Sequence, residues 1–122
     1  MKAKKENLAK EQILDILKDI KKNSILSNIK IGLAGSFARG TNMKSSDIDI
    51  VLSYDLDRDD ADLLILVEEY INKKCGYKVD VLHLERLAIE DEELDNHAKS
   101  LDLPINDESA YKSILKDVIW IE

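Results

Sequence analysis

Apolar residues along this chain change their period several times, and each change marks an element. From Leu8 to Lys22, Ile13, Leu14, Leu17 and Ile20 recur at three- and four-residue spacing among lysines and aspartates. That pattern predicts an amphipathic helix ended by Asn23 and Ser24. Ile29 to Ala34 predicts a short strand running into Gly35-Ser36. A second strand is expected from Asp47 to Ser53, with Asp47, Asp49 and Val51 on one face and Ile48, Ile50 and Leu52 on the other. Helical period returns from Asp59 to Lys74 through Leu63, Leu64, Val67, Tyr70 and Ile71. Ile65 and Leu66 widen that stripe and predict the more buried of the two helices, which Gly76 then stops.

Tyr77 to Leu84 predicts a third strand with Asp80 at its middle. Glu85 to about Asn106 is acidic and helix-prone, interrupted by Pro104, and shows no firm internal boundary. Asp107 or Ser109 is placed to cap a last helix reaching about Lys116, and Val118 to Ile121 predicts a closing strand. The order helix, strand, strand, helix, strand, helix, strand predicts an α/β (α+β) domain. Its small mixed sheet is expected to carry helices mainly on one face.

At 122 residues the expected organisation is a single domain, 1–122, with one core. Hydrophobic content of 44% beside 35% charged residues fits a folded domain rather than a disordered segment. No apolar run approaches the roughly 20 residues that cross a bilayer, and the basic opening MKAKKENLAK lacks an apolar signal core. Cys75 is the single cysteine and has no internal disulfide partner, so a reducing cytoplasm is expected and Cys75 reads as a small semi-buried residue. The net charge of −7 changes the picture more. Proteins that grip nucleic-acid backbones generally do so with a basic face. The acidic excess therefore argues against general nucleic-acid binding and for a small-molecule or protein acceptor.

Chemistry concentrates in two places. Residues two apart on a strand share a face, so Asp47 and Asp49 are expected to project together. Aspartate is depleted in strands, and like charges at neighbouring same-face positions repel. Flanked by Ile48, Ile50, Val51 and Leu52, the pair needs something positive to offset it, and Mg²⁺ favours a few carboxylates plus phosphate oxygens. Asp80, in Lys78-Val79-Asp80-Val81-Leu82, is a third carboxylate in an apolar strand. If that strand lies beside the second, three carboxylates converge, enough to hold two metals about 4 Å apart for in-line displacement at phosphorus.

The second place is Gly35-Ser36-Phe37-Ala38-Arg39-Gly40, which follows a strand and opens a short helix. Glycine lets backbone approach a ligand, and free N–H groups at a helix start attract phosphate. Ser36 adds a hydroxyl donor. Arg39 has a fork suited to phosphate or, equally, to one of the local acids. His83 and His97 lack zinc-ligand spacing with each other or with Cys75 and read as structural residues.

The run GSFARG, TNMKSS, DIDIVL, with VDVL on a later strand, resembles the minimal nucleotidyltransferases of the DNA-polymerase-β-like superfamily. The resemblance covers about Ile29 to Leu84, extends to the closing Ile-Trp-Ile-Glu, and is weak from Glu85 to Asn106. It implies that Gly35 and Ser36 hold the triphosphate of ATP and that Asp47 and Asp49 bind two Mg²⁺ ions. It also implies that Asp80 supports the metal on the nucleophile's side or takes the acceptor's proton. A domain this short leaves the acceptor to a dimer mate or a partner protein. Minimal members of this kind resemble antitoxins paired with HEPN-domain ribonuclease toxins, to which they add AMP at a tyrosine. Two other readings follow from the same residues: an antitoxin that neutralises its toxin by binding alone, and an enzyme that modifies a small molecule such as an aminoglycoside.

Overall fold

Alternation along one five-residue strand sets the two faces of the molecule. In β1 (Lys30–Ala34), Ile31 and Leu33 point to the main core, while Gly32 and Ala34 face the other way. The computed structural model describes residues 10–23, 26, 28–43, 45–57 and 61–121, so the helix starts expected at Leu8 and Asp59, and Ser24, lie outside them.

The chain forms α1 (Lys10–Lys21), β1, α2 (Gly35–Arg39), β2 (Ile48–Ser53), α3 (Ala61–Cys75), β3 (Val79–His83), α4 (Leu84–Ser100), α5 (Ala110–Asp117) and β4 (Ile119–Trp120). The sheet order is β3-β2-β1-β4. β1 pairs antiparallel with β2 and with β4, whereas β2 and β3 run parallel and are joined through α3. This is the mixed α+β architecture expected from the sequence.

The larger core lies between one face of the sheet and α1 and α3. Ile13 and Leu17 of α1 and Leu63, Val67 and Ile71 of α3 pack on Ile31, Leu33, Ile48, Ile50 and Leu52. Each fully buried side chain of this kind contributes about 1.5–3 kcal/mol, so this face holds most of the fold's stability. The wide stripe expected on α3 is narrower than its sequence suggested. Ile65 and Leu66 are both more than half exposed, because they lie round the helix from Leu63, Val67 and Ile71, the buried residues of its core-facing side.

The opposite face is only partly covered. Ala34, Val51 and Ile114 are buried there with Leu82, Leu84, Leu87, Val118 and Trp120 around them. Gly32 permits this packing: a Cβ added to it would stand 2.8 Å from Val118 Cγ2 and 2.9 Å from Trp120 Cε3. The uncovered part of this face, at the N-terminal ends of β2 and β3, becomes the cleft described below.

The strands are a residue or two shorter at one or both ends than the sequence reading, β3 starting at Val79 and β4 spanning only Ile119–Trp120, and the helices after β3 differ in their bounds. α4 begins directly after His83 and ends at Ser100, so Leu84 belongs to the helix and Pro104 follows its end rather than interrupting it. Ser109, not Asp107, caps α5, its hydroxyl accepting from the Lys112 N–H at 3.2 Å. Lys112 in turn ties α5 to α4, its ammonium donating to both oxygens of Asp95 at 3.1 and 3.0 Å and to the Asn106 carbonyl at 2.9 Å.

Candidate active site

The parallel pairing of β2 and β3 sets Asp49 directly opposite Asp80. Cross-strand partners share a face, so both carboxylates project onto the partly covered side of the sheet. Asp47 falls just before β2 rather than within it, and its side chain stands 3.9 Å from Lys78 Nζ. On the neighbouring strand, Ala34 is the register partner of Asp49. The next residue, Gly35, therefore reaches the carboxylate. A Cβ built on Gly35 would lie 2.2 Å from Asp49 Oδ2, and the backbone there takes φ +71°, a conformation that suits glycine.

Gly35 opens α2, which Gly40 closes at φ 79°. Phe37 and Ala38 are buried, and the Phe37 ring meets Tyr77 edge-on at 5.6 Å between centroids. The turn carrying Ser36 is thus anchored from below by aromatic packing. Arg39, at the last turn, donates from Nη1 to Asp117 Oδ2 of α5 at 2.9 Å. Of the two partners the sequence left open for Arg39, a local acid holds it here.

All six residues singled out from the sequence, Gly35, Ser36, Arg39, Asp47, Asp49 and Asp80, line one cleft of about 650 Å³. Its electrostatics are unbalanced. The Asp49 carboxyl is raised above its ordinary value of 3.8, first by burial, then by the charges of Asp80 and Asp47, with Arg39 acting in the opposite direction. Among the described residues, no three His, Cys, Asp or Glu side chains close around a common point as a metal cage.

Residues 10–121 match the family model of the nucleotidyltransferase domain. The chain belongs to this family. No curated relative matches it. Nucleotidyltransferase domains transfer a nucleoside monophosphate and generally use a nucleoside triphosphate with a divalent metal. The donor set of this nucleotidyltransferase domain fits such an ion: hard carboxylate oxygens, crowded in register, with charge that Arg39 offsets only in part. Asp47, Asp49 and Asp80 all line the cleft, Asp49 and Asp80 as cross-strand partners.

Sequence periodicity missed the opposite wall of the cleft. Ala110, Ser113, Ile114 and Asp117 of α5 line it, as does Ser46 ahead of β2. One signal pointed there: Asp117 ends α5, and an acid at a helix C-terminus is disfavoured by the helix dipole unless a cation answers it. The remaining reactive side chains lie elsewhere. His83 is buried, stacked on Tyr54 at 3.8 Å and bonded to the Tyr54 carbonyl at 3.0 Å. His97 is exposed on α4, and Cys75 is half-buried at the end of α3 with Sγ 3.2 Å from the Ile71 carbonyl.

Proposed function

We propose that this domain transfers AMP from ATP to a hydroxyl group of a partner protein, a tyrosine of a HEPN ribonuclease toxin, and so acts as an antitoxin. The observation that carries the chemistry is the in-register Asp49–Asp80 pair beside Gly35 and Ser36 in a cleft. In this reading Gly35 lets the triphosphate approach the carboxylates, and Ser36 donates its hydroxyl to a phosphate oxygen. Asp47 and Asp49, with Asp80, would hold the two Mg²⁺ ions that the resemblance implies. Bound metal neutralises the charge that builds on the phosphate oxygens. Asp80, the most exposed of the three, faces the incoming acceptor and takes its hydroxyl proton. The acceptor oxygen bonds to the α-phosphorus, the bond from that phosphorus to the bridging oxygen breaks, and pyrophosphate leaves.

Two features support a protein acceptor. The net charge of −7 disfavours a grip on nucleic acid and favours a basic partner. The acidic helix α4 also presents Leu94 to solvent, and Leu101 and Leu103 just beyond it are more than half exposed. The proposed setting is the cytoplasm, where ATP, Mg²⁺ and a reduced Cys75 coexist. Among the described residues, no helix is long and apolar enough to cross a membrane.

The test uses ATP labelled at the α-phosphate and, separately, at the γ-phosphate, with Mg²⁺ and the protein encoded beside this one. Label reaching a tyrosine of that protein from the α position alone, and lost with Asp49→Asn, is the expected result. Transfer from the γ position would make the chain a kinase. A stable complex without transfer would favour neutralisation by binding, and labelling of an aminoglycoside instead would move the acceptor to small molecules.

A further inference from the structure

The Arg39–Asp117 pair joins α2 to α5, residues far apart in the chain, and both side chains line the cleft that holds Asp49 and Asp80. The Arg39 side chain is 46% exposed and that of Asp117 24%. Arg39 also acts on Asp49, whose carboxyl it lowers against the push of burial and of Asp80 and Asp47. One guanidinium thus answers two acids: Asp49 on the sheet and Asp117 of α5.

A ligand bearing several phosphates changes that balance. A polyphosphate entering the cleft brings more negative charge than Asp117 offers, in a geometry the guanidinium fork suits equally well. To grip it through both Nη groups, Arg39 gives up the Nη1 bond to Asp117. Once released, Asp117 faces the polyphosphate as a like charge across the cleft. We propose that Asp117 is a positioning residue that holds Arg39 in reserve and opposes polyphosphate binding until the guanidinium is handed over. This rests on the reading of the cleft as a nucleoside triphosphate site.

Two consequences separate this role from a plain tether between helices. First, removing the Asp117 charge strengthens binding of ligands with a β- and γ-phosphate and leaves AMP unaffected. Breaking a half-exposed ion pair changes an equilibrium by about two- to five-fold, and the lost repulsion acts in the same direction. Second, the part of the gain that comes from freeing Arg39 is lost once Arg39 is gone, which leaves only the relief of Asp117's own repulsion.

The experiment is a calorimetric titration of the full chain with Mg²⁺ and α,β-methylene-ATP, an analogue that cannot transfer its nucleotide, and with AMP as the comparison. Wild type, Asp117→Asn, Arg39→Gln and the double variant are compared, with thermal melts alongside. Asp117→Asn is expected to bind the analogue about two- to five-fold more tightly with AMP affinity unchanged, and to gain clearly less in the Arg39→Gln background, where only the relief of repulsion remains; an equal gain in both backgrounds would overturn the role of Arg39. Unchanged or weaker analogue binding by a folded Asp117→Asn would overturn the inference and leave a structural tether. Equal gains for AMP and for the analogue would also overturn it, since the guanidinium would then not be reserved for the polyphosphate. If wild type binds neither ligand with Mg²⁺ present, the nucleotide reading itself fails first.

Discussion

Gly35 has no room for a side chain and no comfortable backbone for one. Alanine there meets Asp49 Oδ2 and must hold φ +71°, which costs about 1–2 kcal/mol for an L-residue before any displacement of the carboxylate. Gly35→Ala is therefore expected to lower the melting temperature and abolish transfer together; a variant that keeps full transfer would mean that Asp49 shifts freely. Asp49 gives a second, opposite expectation. Its carboxyl titrates above 3.8 in the folded chain, so the folded state binds that proton more tightly than the unfolded one. Stability then falls as pH rises from the ordinary value through the raised one, and the cost is present in full above the raised one. Metal-free Asp49→Asn at pH 7 should melt no lower than wild type, while Mg²⁺ should raise the melting temperature of wild type only. Scanning fluorimetry with and without Mg²⁺ decides it, and a markedly lower metal-free melt for Asp49→Asn would contradict the picture. At this scale the signal lay in the combination, because Asp47-Ile48-Asp49 says little alone and gains meaning only beside Asp80 and the Gly35-Ser36 turn, with which it lines one cleft. Asp117 carried only the weak signal of an acid at a helix C-terminus, since its meaning depends on Arg39 arriving from a distant helix.

Helix α4 shows why one element stayed unreadable. Its inward face runs through Leu84, Leu87, Asp91, Asp95 and Ala98, all buried or half-buried. Two carboxylates occupy positions where an amphipathic stripe leads one to expect apolar residues, so the period is hidden. They are tolerated because Lys112 of α5 reaches them, bonding Asp95 and standing 3.7 Å from Asp91 Oδ2. The buried Asp91 Oδ1 nevertheless has no hydrogen-bond partner. Burial acts to lower the Lys112 ammonium, but its bond to Asp95 and the charges of Asp91, Asp95 and Asp107 outweigh it and raise the group above its ordinary range. Lys112→Met should loosen α5 from α4 and lower the melting temperature, because it strands Asp91 without a counter-ion. Adding Asp91→Asn should recover part of the loss, and a double variant no better than the single would show that Asp91 does not depend on Lys112. The opposite error, on α3, has a simpler cause: hydrophobicity alone does not tell which side of a helix meets the sheet, and Ile65 and Leu66 fell outside it.

Across the whole molecule, periodicity identified nearly every element but not the order of strands. Nothing in the sequence pattern says that β1 lies between β2 and β4, or that the short β4 pairs through Trp120 and Ile119 with Gly32 and Leu33. The convergence of the carboxylates was therefore conditional until the parallel register of β2 and β3 supplied it. That register also bears on time. Asp49 and Asp80 lie on strands joined through the whole of α3, and they meet only after this long connection has closed. Before that moment no paired site exists for a cation to hold. If the strands dock after the main folding barrier, Mg²⁺ should slow the unfolding arm of a stopped-flow chevron and leave the folding arm unchanged. Faster folding with Mg²⁺ would place the docking of β3 at or before the barrier. On the first outcome, the metal that serves transfer also sets how long a folded chain persists, and a cell that lowers its free Mg²⁺ would shorten the lifetime of the domain as well as its activity.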